Sequence, residues 1–409
     1  MNLDRARMLM DQANLDALLT IGPENVSYVT NAPIGPVHQW RNFGPYVALI
    51  PADSALSTAA VVTDTHRRAT EEGGVIDEIR THPAWIEYVD VTDRSGGLIS
   101  ARVADAMIGR PSERPERFEL SLIMPQLREL LADRGLDRGR IGVEFDHLPL
   151  ADQQSVAEVI GDAEMVDSSA LYHELRLIKS EREIQSLRIA VDLTCRAIHY
   201  ATSHAQIGAA VGSVSMNFKR GIIDAAEELE VGNLSGSWDI ISVGERPWSA
   251  STRDRIVAGD VIKFDCGAIV GGYMADFGRT YVVGQPTDAA RTVHAALRAG
   301  IDAALETLQV GVPFSAIFAA MESAIRGAGF PKYTRGHFGH SIGANIGQEE
   351  WPWISKTEGR RVEHNMVLAI EAPFYLDGVG GFMIEHNVLV RDDGIDVLDT
   401  LPTDFGSIG

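Results

Sequence analysis

Five residues with metal-binding side chains lie in the C-terminal part of the chain: Asp265, Asp276, His340, Glu371 and Glu385. Four carboxylates and one imidazole can hold two hard divalent cations, and two bridged cations can activate a water at neutral pH. Asp265, Glu371 and Glu385 lie in mostly apolar runs, where a buried charge must be paired or bound to metal. The sequence therefore predicts one dinuclear metal site.

The two aspartates belong to a predicted β-hairpin. Two runs rich in β-branched and aromatic residues flank Gly271-Gly272, a pattern typical of a hairpin. A two-residue turn there places Asp265 opposite Gly278, with Asp276 diagonal to it on the same face. A turn one residue earlier would place the aspartates directly opposite. In both registers their Cβ atoms lie within about 5–8 Å, close enough to share a metal pair.

The two glutamates belong to a second predicted hairpin. The apolar runs around Glu371 and Glu385 are separated by a turn centred on Gly378. A three-residue loop, Asp377 to Val379, places the two glutamates opposite each other, because glycine can adopt the left-handed conformation that such a loop needs. The same arrangement of a carboxylate pair on a hairpin is therefore predicted twice.

His340 lies in the segment Gly339-His-Ser-Ile-Gly343, between glycines that allow close backbone approach. A lone histidine is more often structural. A neutral imidazole beside carboxylates, however, suits Mn, Fe, Co or Zn, whereas carboxylates alone favour Mg or Ca. We expect two divalent metal ions, with Mn first and Co, Zn or Fe as alternatives.

The order Asp, ten residues, Asp, Gly-His-x-x-Gly, Glu-x-Pro and Ile-Glu resembles the pita-bread metallohydrolases, which include methionine aminopeptidase, aminopeptidase P, prolidase and the metal-free creatinase. The resemblance covers nearly the whole chain. Residues 15–29 resemble the opening strand and loop of the creatinase/prolidase N-terminal domain, and residues 175–184 resemble the entry to the catalytic domain. It implies an α/β N-terminal domain of the creatinase/ribonuclease H type, followed by an α+β pita-bread domain with an internal pseudo-two-fold repeat.

The resemblance also implies a role for each of the five residues. Asp265 and Asp276 would bind one metal, and Asp276 would also reach the second. His340 would complete the second position, and Glu371 and Glu385 would complete the cage, with Glu385 bridging. Glu371 is in addition the expected general base, since a carboxylate beside the metals can carry a proton to the leaving nitrogen.

Two histidines of the family's peptidases are missing from this chain. The position seven residues after His340 is Gly347, and the position of the other histidine is Ser249, beside Trp248. Both histidines would ordinarily contact the substrate amide or stabilise the tetrahedral intermediate, and by analogy with oxyanion-hole deletions the loss of one such donor raises the barrier by about 2.7–4 kcal/mol. Either His337 replaces them or the substrate is not an ordinary peptide. The alternative for His337 is a buried structural imidazole.

Three further positions distinguish this chain. Met383 occupies the place of a common arginine, and His386 follows Glu385 where an acidic residue is common. His386 can hydrogen-bond a neighbouring ligand. Trp351 follows the metal-binding motif and is either part of the core or an aromatic wall for a proline-like ring. The predicted substrate-binding residues are Ser249, Trp248, Gly347 and Trp351, and the predicted catalytic residues are Glu371 and His337.

The elements that must position these residues fall into two predicted domains, 1–165 and 166–409. The first contains apolar strands near residues 17–21, 46–50, 59–63 and 141–145, with helices to Ala13 and over 120–132. In the second, Ser180-Glu-Arg-Glu183 is a capping box that begins a long helix toward His204. Further helices are predicted over 213–228, 289–308 and 313–326, so that two helices precede each ligand hairpin.

Composition excludes several classes of protein. The net charge of −21 over 409 residues argues against nucleic acid and anionic membranes as partners. The two cysteines, Cys195 and Cys266, form no metal-spaced motif and fit a reducing compartment. The start has no apolar core of signal-peptide type, and no run approaches the ~18 apolar residues of a membrane span. We expect a cytoplasmic protein, and the resemblance implies a homodimer.

Three functions are compatible with these features. The first is a metal-dependent hydrolase of C–N bonds that acts on Xaa-Pro dipeptides or short peptides. The second keeps the fold and the metals but hydrolyses a small non-peptide amide or amidine, as creatinase-like and ectoine-hydrolase-like relatives do. The third is a non-catalytic protein that uses the cleft to bind a partner. The five retained ligands argue against the third function.

Overall fold

The structure, a computed structural model, describes residues 1–33, 46–92, 97–108, 110, 113, 123–146, 148–247, 255–344 and 349–409. Contacts among them divide the chain into two compact units, Met1–Leu175 and Arg176–Gly409. The domain boundary expected after residue 165 stays a prediction. No helix within the described ranges is long and apolar enough to cross a membrane.

The first unit is an α/β domain, which confirms the predicted class. Its strands are β1 Ala17–Thr20, β2 Val47–Pro51, β3 Ala59–Thr63, β4 Glu78–His82, β5 Arg140–Val143 and β6 Glu164–Asp167. Its helices are α1 Leu3–Gln12, α2 Pro23–Thr30, α3 Arg67–Gly73, α4 Ile99–Ala106, α5 Met124–Asp133 and α6 Leu150–Ile160, with a 3-10 turn at Asp64–His66. Helix α7, Ser169–Leu177, includes Leu175 and Arg176, at which the first unit ends and the second begins.

The sheet of the first unit has the order β4-β3-β2-β1-β5-β6. Strand β1 is antiparallel to β2 and parallel to β5. Strands β1, β2 and β3 are buried along their whole length, which explains why their sequences are apolar runs without a polar alternation.

The second unit contains four described helices, α8 Glu181–Ser203, α9 Ser213–Glu228, α10 Asp288–Thr307 and α11 Phe314–Gly327. Its described strands are β7 Leu234–Asp239, β8 Ser242–Val243, β9 Val261–Val270, β10 Tyr273–Met274, β11 Phe277–Val283, β12 His337–Ser341, β13 Glu350–Ser355, β14 Val367–Leu376, β15 Gly380–Arg391, β16 Gly394–Val397 and β17 Gly406–Ile408. They form one curled sheet whose main path is β10-β9-β11-β15-β14-β12-β13.

The predicted capping box begins α8. The Ser180 backbone N–H donates to Glu183 Oε2 at 2.8 Å, and the Glu183 backbone N–H donates back to Ser180 Oγ at 3.5 Å. These bonds satisfy two of the donors that a helix leaves free at its start. The helix therefore begins where the sequence predicts.

The predicted repeat of two helices followed by a hairpin is confirmed in the second unit. Helix α8 packs on β9, and α9 packs on α8 and β7. Both helices contribute to one apolar cluster, which includes Phe218 and Phe264. Helices α10 and α11 belong to a second cluster, which includes Phe318 and Ile370 of β14. Each helix pair thus covers one face of its hairpin, and the alternate residues of these strands point to the other face.

Candidate metal centre

Four neighbouring strands hold three of the predicted carboxylates in one register row. Asp265 on β9 pairs with Gly278 on β11, Gly278 pairs with Glu385 on β15, and Glu385 pairs with Glu371 on β14. Residues that pair across antiparallel strands point to the same face of a sheet. The row therefore presents three acidic side chains together, with a glycine between the first and the second.

Both hairpin turns have the geometry that this row requires. Val270 pairs with Tyr273, so the first turn is Gly271-Gly272 and not the alternative one residue earlier. Leu376 pairs with Gly380, which leaves the predicted three-residue loop, and Gly378 has φ +90°. The predicted opposition of Glu371 and Glu385 is confirmed.

The side chains of Asp276 and His340 lie close to that of Glu385. Asp276 lies two residues before Gly278, and His340 pairs with Ala369, two residues before Glu371 on β14. One donor atom from each of Asp276, His340 and Glu385 lies within 4.8 Å of the other two, and all three residues are buried. The His340 Nε2 atom is 3.4 Å from Asp276 Oδ2. Three of the five predicted ligands thus form one compact donor set.

The surrounding hydrogen bonds orient this donor set. His340 Nδ1 lies 3.0 Å from the Ser341 carbonyl oxygen, to which it donates, so Nε2 keeps the lone pair that can bind a cation. The Asp276 backbone N–H donates to Asn387 Oδ1 at 3.2 Å, and Asn387 Nδ2 donates to the Asp276 carbonyl. Gly339 has φ +130°, and a Cβ atom there would lie 2.1 Å from the Ala369 oxygen. A glycine is therefore required directly before His340.

Two cations contact the remaining two carboxylates. Lys263 Nζ donates to Asp265 Oδ2 at 2.9 Å, and the lysine side chain is fully buried. Arg335 lies 3.0 Å from Glu371 Oε2 and 3.2 Å from Glu371 Oε1. Neither residue is among those predicted from the sequence. The signal for Lys263 is its position two residues before Asp265, which places it on the same face of a strand.

His337 lies beside Glu371, as a catalytic role requires. Its Nδ1 atom is 3.3 Å from Glu371 Oε1, and its ring centroid is 6.1 Å from that of His340. Burial lowers the pKa of His337, although Glu371 acts in the opposite direction. The catalytic role itself stays a prediction.

Two observations show that the residues present fit a divalent cation. Glu385 Oε2 is buried and has no hydrogen-bond partner among the described residues. A Cβ atom at Gly278 would lie 3.2 Å from that same oxygen, so the glycine keeps the space beside it free. Carboxylate oxygens with one imidazole nitrogen are donors that Mn, Fe, Co and Zn accept. Asp265, Asp276, His340, Glu371 and Glu385 would hold the metal.

The carboxylates differ in how easily they ionise in the metal-free protein. Burial, then the neighbouring negative charges, raises the pKa of Asp276 and of Glu385 well above the ordinary carboxyl range. Burial also raises the pKa of Asp265, against the effect of Lys263. Burial acts upward on Glu371 too, but Arg335 and the imidazoles outweigh it, so the pKa of Glu371 is lowered. Glu371 is therefore ionised at neutral pH.

The raised pKa of Glu385 predicts how its replacement affects stability. In the metal-free protein the folded state binds this proton more tightly than the unfolded state, so its contribution to stability falls as pH rises above about 4. Glu385→Gln mimics the protonated form. We expect the variant to be more stable than the wild type in chelator at pH 8, and the difference to shrink at pH 5. Urea unfolding at both pH values measures the stability difference between the variant and the wild type. A difference that does not change with pH would contradict the raised pKa of Glu385.

The crowding at Gly278 predicts a second effect. A methyl group there would lie 2.2 Å from Met383 Cγ as well as near Glu385. We expect Gly278→Ala to lower stability by about 1–3 kcal/mol and metal affinity about 10–100-fold. Gly327→Ala is the matched control, because a Cβ at position 327 meets no atom within 4 Å. Unchanged metal affinity in Gly278→Ala would contradict this prediction, because it would show that the register row of Asp265, Gly278, Glu385 and Glu371 tolerates a side chain at position 278.

The remaining predicted residues have different outcomes. Trp248, Ser249 and Gly347 lie outside the described residues. Trp351 is partly buried, packs against an apolar cluster and lies under Arg360, 5.5 Å from its ring centroid. Its substrate-binding role stays a prediction.

His386 lies next to Glu385 in sequence, but alternation in β15 turns it to the opposite face. Its Nδ1 atom is 2.8 Å from Asp399 Oδ2, and Arg279 contacts both residues. Arg279 also donates to the Glu385 carbonyl oxygen at 2.6 Å. His386 therefore belongs to an ion-pair cluster behind the metal face.

Comparisons with known proteins identify families for both units. The model of metallopeptidase family M24 matches residues 185–392, and the model of the creatinase/prolidase N-terminal domain matches residues 2–178. The uncharacterized peptidase YqhT of Bacillus subtilis is 26% identical over 405 residues, which are 96% of this chain and 96% of that protein.

Two solved structures have the same fold. The Xaa-Pro dipeptidase from Bacillus anthracis superposes with a TM-score of 0.77 at 21% identity and covers 99% of both chains. The X-Pro aminopeptidase from Thermotoga maritima gives a TM-score of 0.74 at 21% identity over 99% of this chain and 100% of that one. Likeness at this level of identity establishes the fold and not the substrate.

Proposed function

The chain belongs to metallopeptidase family M24, and from that premise we propose that it hydrolyses the C–N bond of Xaa-Pro dipeptides or short proline-containing peptides. Membership of this family, together with the donor set of Asp276, His340 and Glu385, supports a metal-dependent hydrolase. The proposal about the substrate is supported by the prolidase-like fold along the whole chain. The solved structures of that fold are named as an Xaa-Pro dipeptidase and an X-Pro aminopeptidase.

The observation that carries the proposal is the convergence of Asp276, His340 and Glu385 on one face of the sheet, with Asp265 and Glu371 in the same register row as Glu385. We propose that these five residues hold two divalent ions, with Mn first and Co, Zn or Fe as alternatives. When bound, the ions would polarise the scissile carbonyl and lower the pKa of a water.

The protein side chains would do the proton transfer. Glu371 is ionised at neutral pH, because its pKa is lowered by Arg335 and the imidazoles against the effect of burial. It can therefore accept a proton from the attacking water and deliver it to the leaving nitrogen. Arg335 fixes the orientation of the Glu371 carboxylate through its two close contacts. His337, beside Glu371, is the proposed replacement for the missing substrate-contacting histidines.

The lining of a cavity of about 590 Å³ supports the proposal that the substrate has a ring and a negatively charged group. Pro373 and Tyr375, which line it, follow Glu371 at two-residue intervals on β14, so they share its face. Phe374, which lies between them, points to the opposite face and packs with Phe330. Tyr375 is therefore the aromatic side chain that can pack against a proline ring on the Glu371 face, and the lining cations Lys332 and Arg335 suit a carboxylate. No acidic side chain is among the described lining residues.

The test is turnover of a mixed library of Xaa-Pro dipeptides, longer Xaa-Pro peptides and small non-peptide amides. The full chain is stripped of metal and reconstituted separately with Mn, Co and Zn. We expect turnover of proline dipeptides, with the Mn form the most active. A metal-loaded enzyme that leaves every proline peptide intact would refute this specificity.

The second candidate substrate is a small amide or amidine. It is favoured by the sequence at positions 249, 347 and 383, where serine, glycine and methionine replace the family's usual donors. Turnover of such compounds with intact proline peptides would establish it. A non-catalytic binding function is the third candidate, and any metal-dependent turnover that is lost in Glu371→Gln excludes it.

The proposal extends to assembly and location. We propose a homodimer that acts in the cytoplasm on a small substrate, without nucleic acid or membrane as partner. The net charge of −21 supports the last point. Light scattering of the purified chain, which should give twice the mass of 44.4 kDa, tests the dimer.

A further inference from the structure

The two ligand hairpins meet at a seam between β11 and β15, where little backbone pairing joins them. Each strand pairs over a long unbroken register within its own hairpin, β11 with β9 and β15 with β14. Between β11 and β15, both described along their whole length, one register pair is formed, Gly278 with Glu385. An ion held by the compact donor set would bind across this seam, because Asp276 precedes β11 whereas Glu385 lies on β15. The separation of the two strands therefore decides whether these donors can reach one ion.

Side chains hold the two strands together on either side of that single pair. The Thr280 hydroxyl on β11 donates to the Met383 carbonyl oxygen and accepts from the Met383 backbone N–H, each at 2.8 Å. The Asn387 side-chain amide on β15 likewise binds both backbone polar groups of Asp276. In an ordinary antiparallel ladder, backbone groups bond to each other. The seam thus depends on particular side chains, which a substitution can remove.

Arg279 lies behind the single pair, on the face of the sheet opposite to the metal donors. Its Nη1 atom donates to both carbonyl oxygens of the pair, that of Gly278 at 2.8 Å and that of Glu385 at 2.6 Å. Its other two nitrogens donate to a segment near the C-terminus, at Asp399 Oδ1 (2.7 Å) and at the carbonyl oxygens of Leu401 and Pro402 (3.0 Å each). These acceptors use all five N–H donors of a guanidinium.

The segment that accepts from Arg279 crosses the seam. Residues 398–405, here called the crossing segment, run from β16, which pairs with β15, to β17, which pairs with β11. His386 Nδ1 on β15 lies 2.8 Å from Asp399 Oδ2, so a side chain also attaches the segment to β15. Arg279 therefore connects the register pair to a segment that is fixed to both hairpins.

We propose that Arg279 is a positioning residue that fixes the separation of the two ligand hairpins from behind the sheet, and that the crossing segment holds its guanidinium in place. The inference rests on the proposed metal centre and goes beyond it, because it assigns control of ion binding to a residue on the opposite face. An arginine that only filled the core would need an anion as its partner. Four of the five acceptors of Arg279 are instead backbone carbonyl oxygens.

Lysine is the informative replacement, because it keeps the charge beside Asp399 but has one nitrogen in place of the planar fork. One ammonium group cannot reach Asp399 and both carbonyl oxygens of the register pair. We expect Arg279→Lys to weaken Mn²⁺ binding at least about tenfold, as residues that orient ligands from outside the donor set do. Thr280→Val, which removes both bonds to Met383 with little change of shape, should act in the same direction. It decides the question if Arg279→Lys does not fold.

Two measurements on the full-length chain test the inference. Calorimetric titration of the metal-free protein with MnCl₂ gives the affinity for Mn²⁺. Hydrogen–deuterium exchange of the metal-free protein, followed by mass spectrometry, reports how often each strand opens. In both variants we expect faster exchange in β11 and β15, including the Met383 amide in Thr280→Val, and unchanged exchange in the sheet of the first unit.

The matched controls have the same chemistry away from the seam. Arg134, in the first unit, is also buried and donates to the Glu78 carboxylate and to backbone carbonyl oxygens. The Thr194 hydroxyl also binds one carbonyl oxygen and one backbone N–H, those of Ala190 and Ala268. Arg134→Lys and Thr194→Val should keep the wild-type affinity for Mn²⁺ and the wild-type exchange of β11 and β15, even where they lower the unfolding temperature as much.

Two results would overturn the inference and leave the metal centre standing. One is a folded Arg279→Lys or Thr280→Val that binds Mn²⁺ as tightly as the wild type does. The other is a control that weakens Mn²⁺ binding as much as its counterpart at the seam, since lower stability alone would then explain the loss. A wild type that binds no Mn²⁺ would overturn the metal centre itself, and the inference with it.

Discussion

Asp276→Asn is expected to abolish both the hydrolase activity and the tight binding of a divalent ion. Asp276 lies in the compact donor set, 3.4 Å from His340 Nε2, and its side chain is almost fully buried. An amide supplies no negative charge, so the ion loses one of its two anionic donors in that set. Loss of metal catalysis removes several kcal/mol of barrier stabilisation, which corresponds to about 10³-fold or more in kcat/KM.

The same substitution should not unfold the chain. The pKa of Asp276 is raised well above its ordinary value by burial and by neighbouring negative charges, so its ionised form destabilises the metal-free protein. The variant should therefore unfold in chelator at a temperature no lower than the wild type. Asp302→Asn, at an exposed position of α10, is the control and should change neither activity nor metal content. Full metal content in Asp276→Asn would contradict its role as a ligand.

Glu371→Gln is expected to lower kcat by about 10²–10⁴-fold, the range for the loss of a positioned general base. Its carboxylate is ionised and held by Arg335, with His337 alongside. Glutamine has the same shape and keeps a hydrogen bond to Arg335, but it cannot accept a proton at neutral pH. KM should change less than kcat, because the substrate contacts are retained.

Steady-state kinetics on the best library substrate measure this effect. Glu363→Gln is the matched control, since Glu363 also contacts an arginine, Arg360 at 2.6 Å, but outside the metal face. It should keep wild-type kcat. Wild-type turnover by Glu371→Gln with bound metal would transfer the role of general base to another residue, with His337 the first to test.

Much of the register of the metal face could be predicted from the sequence, because glycines limit the possible turns of both hairpins. Once Gly271-Gly272 forms a two-residue turn, Asp265 must face Gly278, and a loop centred on Gly378 places Glu371 opposite Glu385. The alternation of side chains along each strand then determines the face on which the acidic residues lie, since a shift of one residue would move every acidic side chain to the apolar face. The pairing of β11 with β15, which joins the hairpins into one row, has no such local signal.

The cations on that face were missed for a physical reason. Lys263 interrupts an apolar run, and hydrophobic patterning alone treats it as a strand residue with an ordinary polar side chain. Its contact with Asp265 follows from alternation, but its complete burial depends on the strands and the aromatic ring around it. Arg335 precedes β12, where only the tertiary structure brings its guanidinium to Glu371.

His386 and helix α2 show two further limits. The sequence allows His386 to hydrogen-bond a neighbouring ligand, but in the structure it contacts Asp399 and Arg279 on the other side of the sheet. Residues Pro23–Thr30 form a helix where the resemblance suggested a loop. The helix has only eight residues, too short for a clear hydrophobic period, and its signal is the proline at its first position.

The most direct test of the whole account is anomalous diffraction from crystals of the full chain grown with Mn²⁺. We expect the strongest peak at bonding distance, about 2.0–2.2 Å, from His340 Nε2 and from carboxylate oxygens of Asp276 and Glu385. Crystals that contain Mn²⁺ but show no peak among these residues, or a peak held by other side chains, would contradict it.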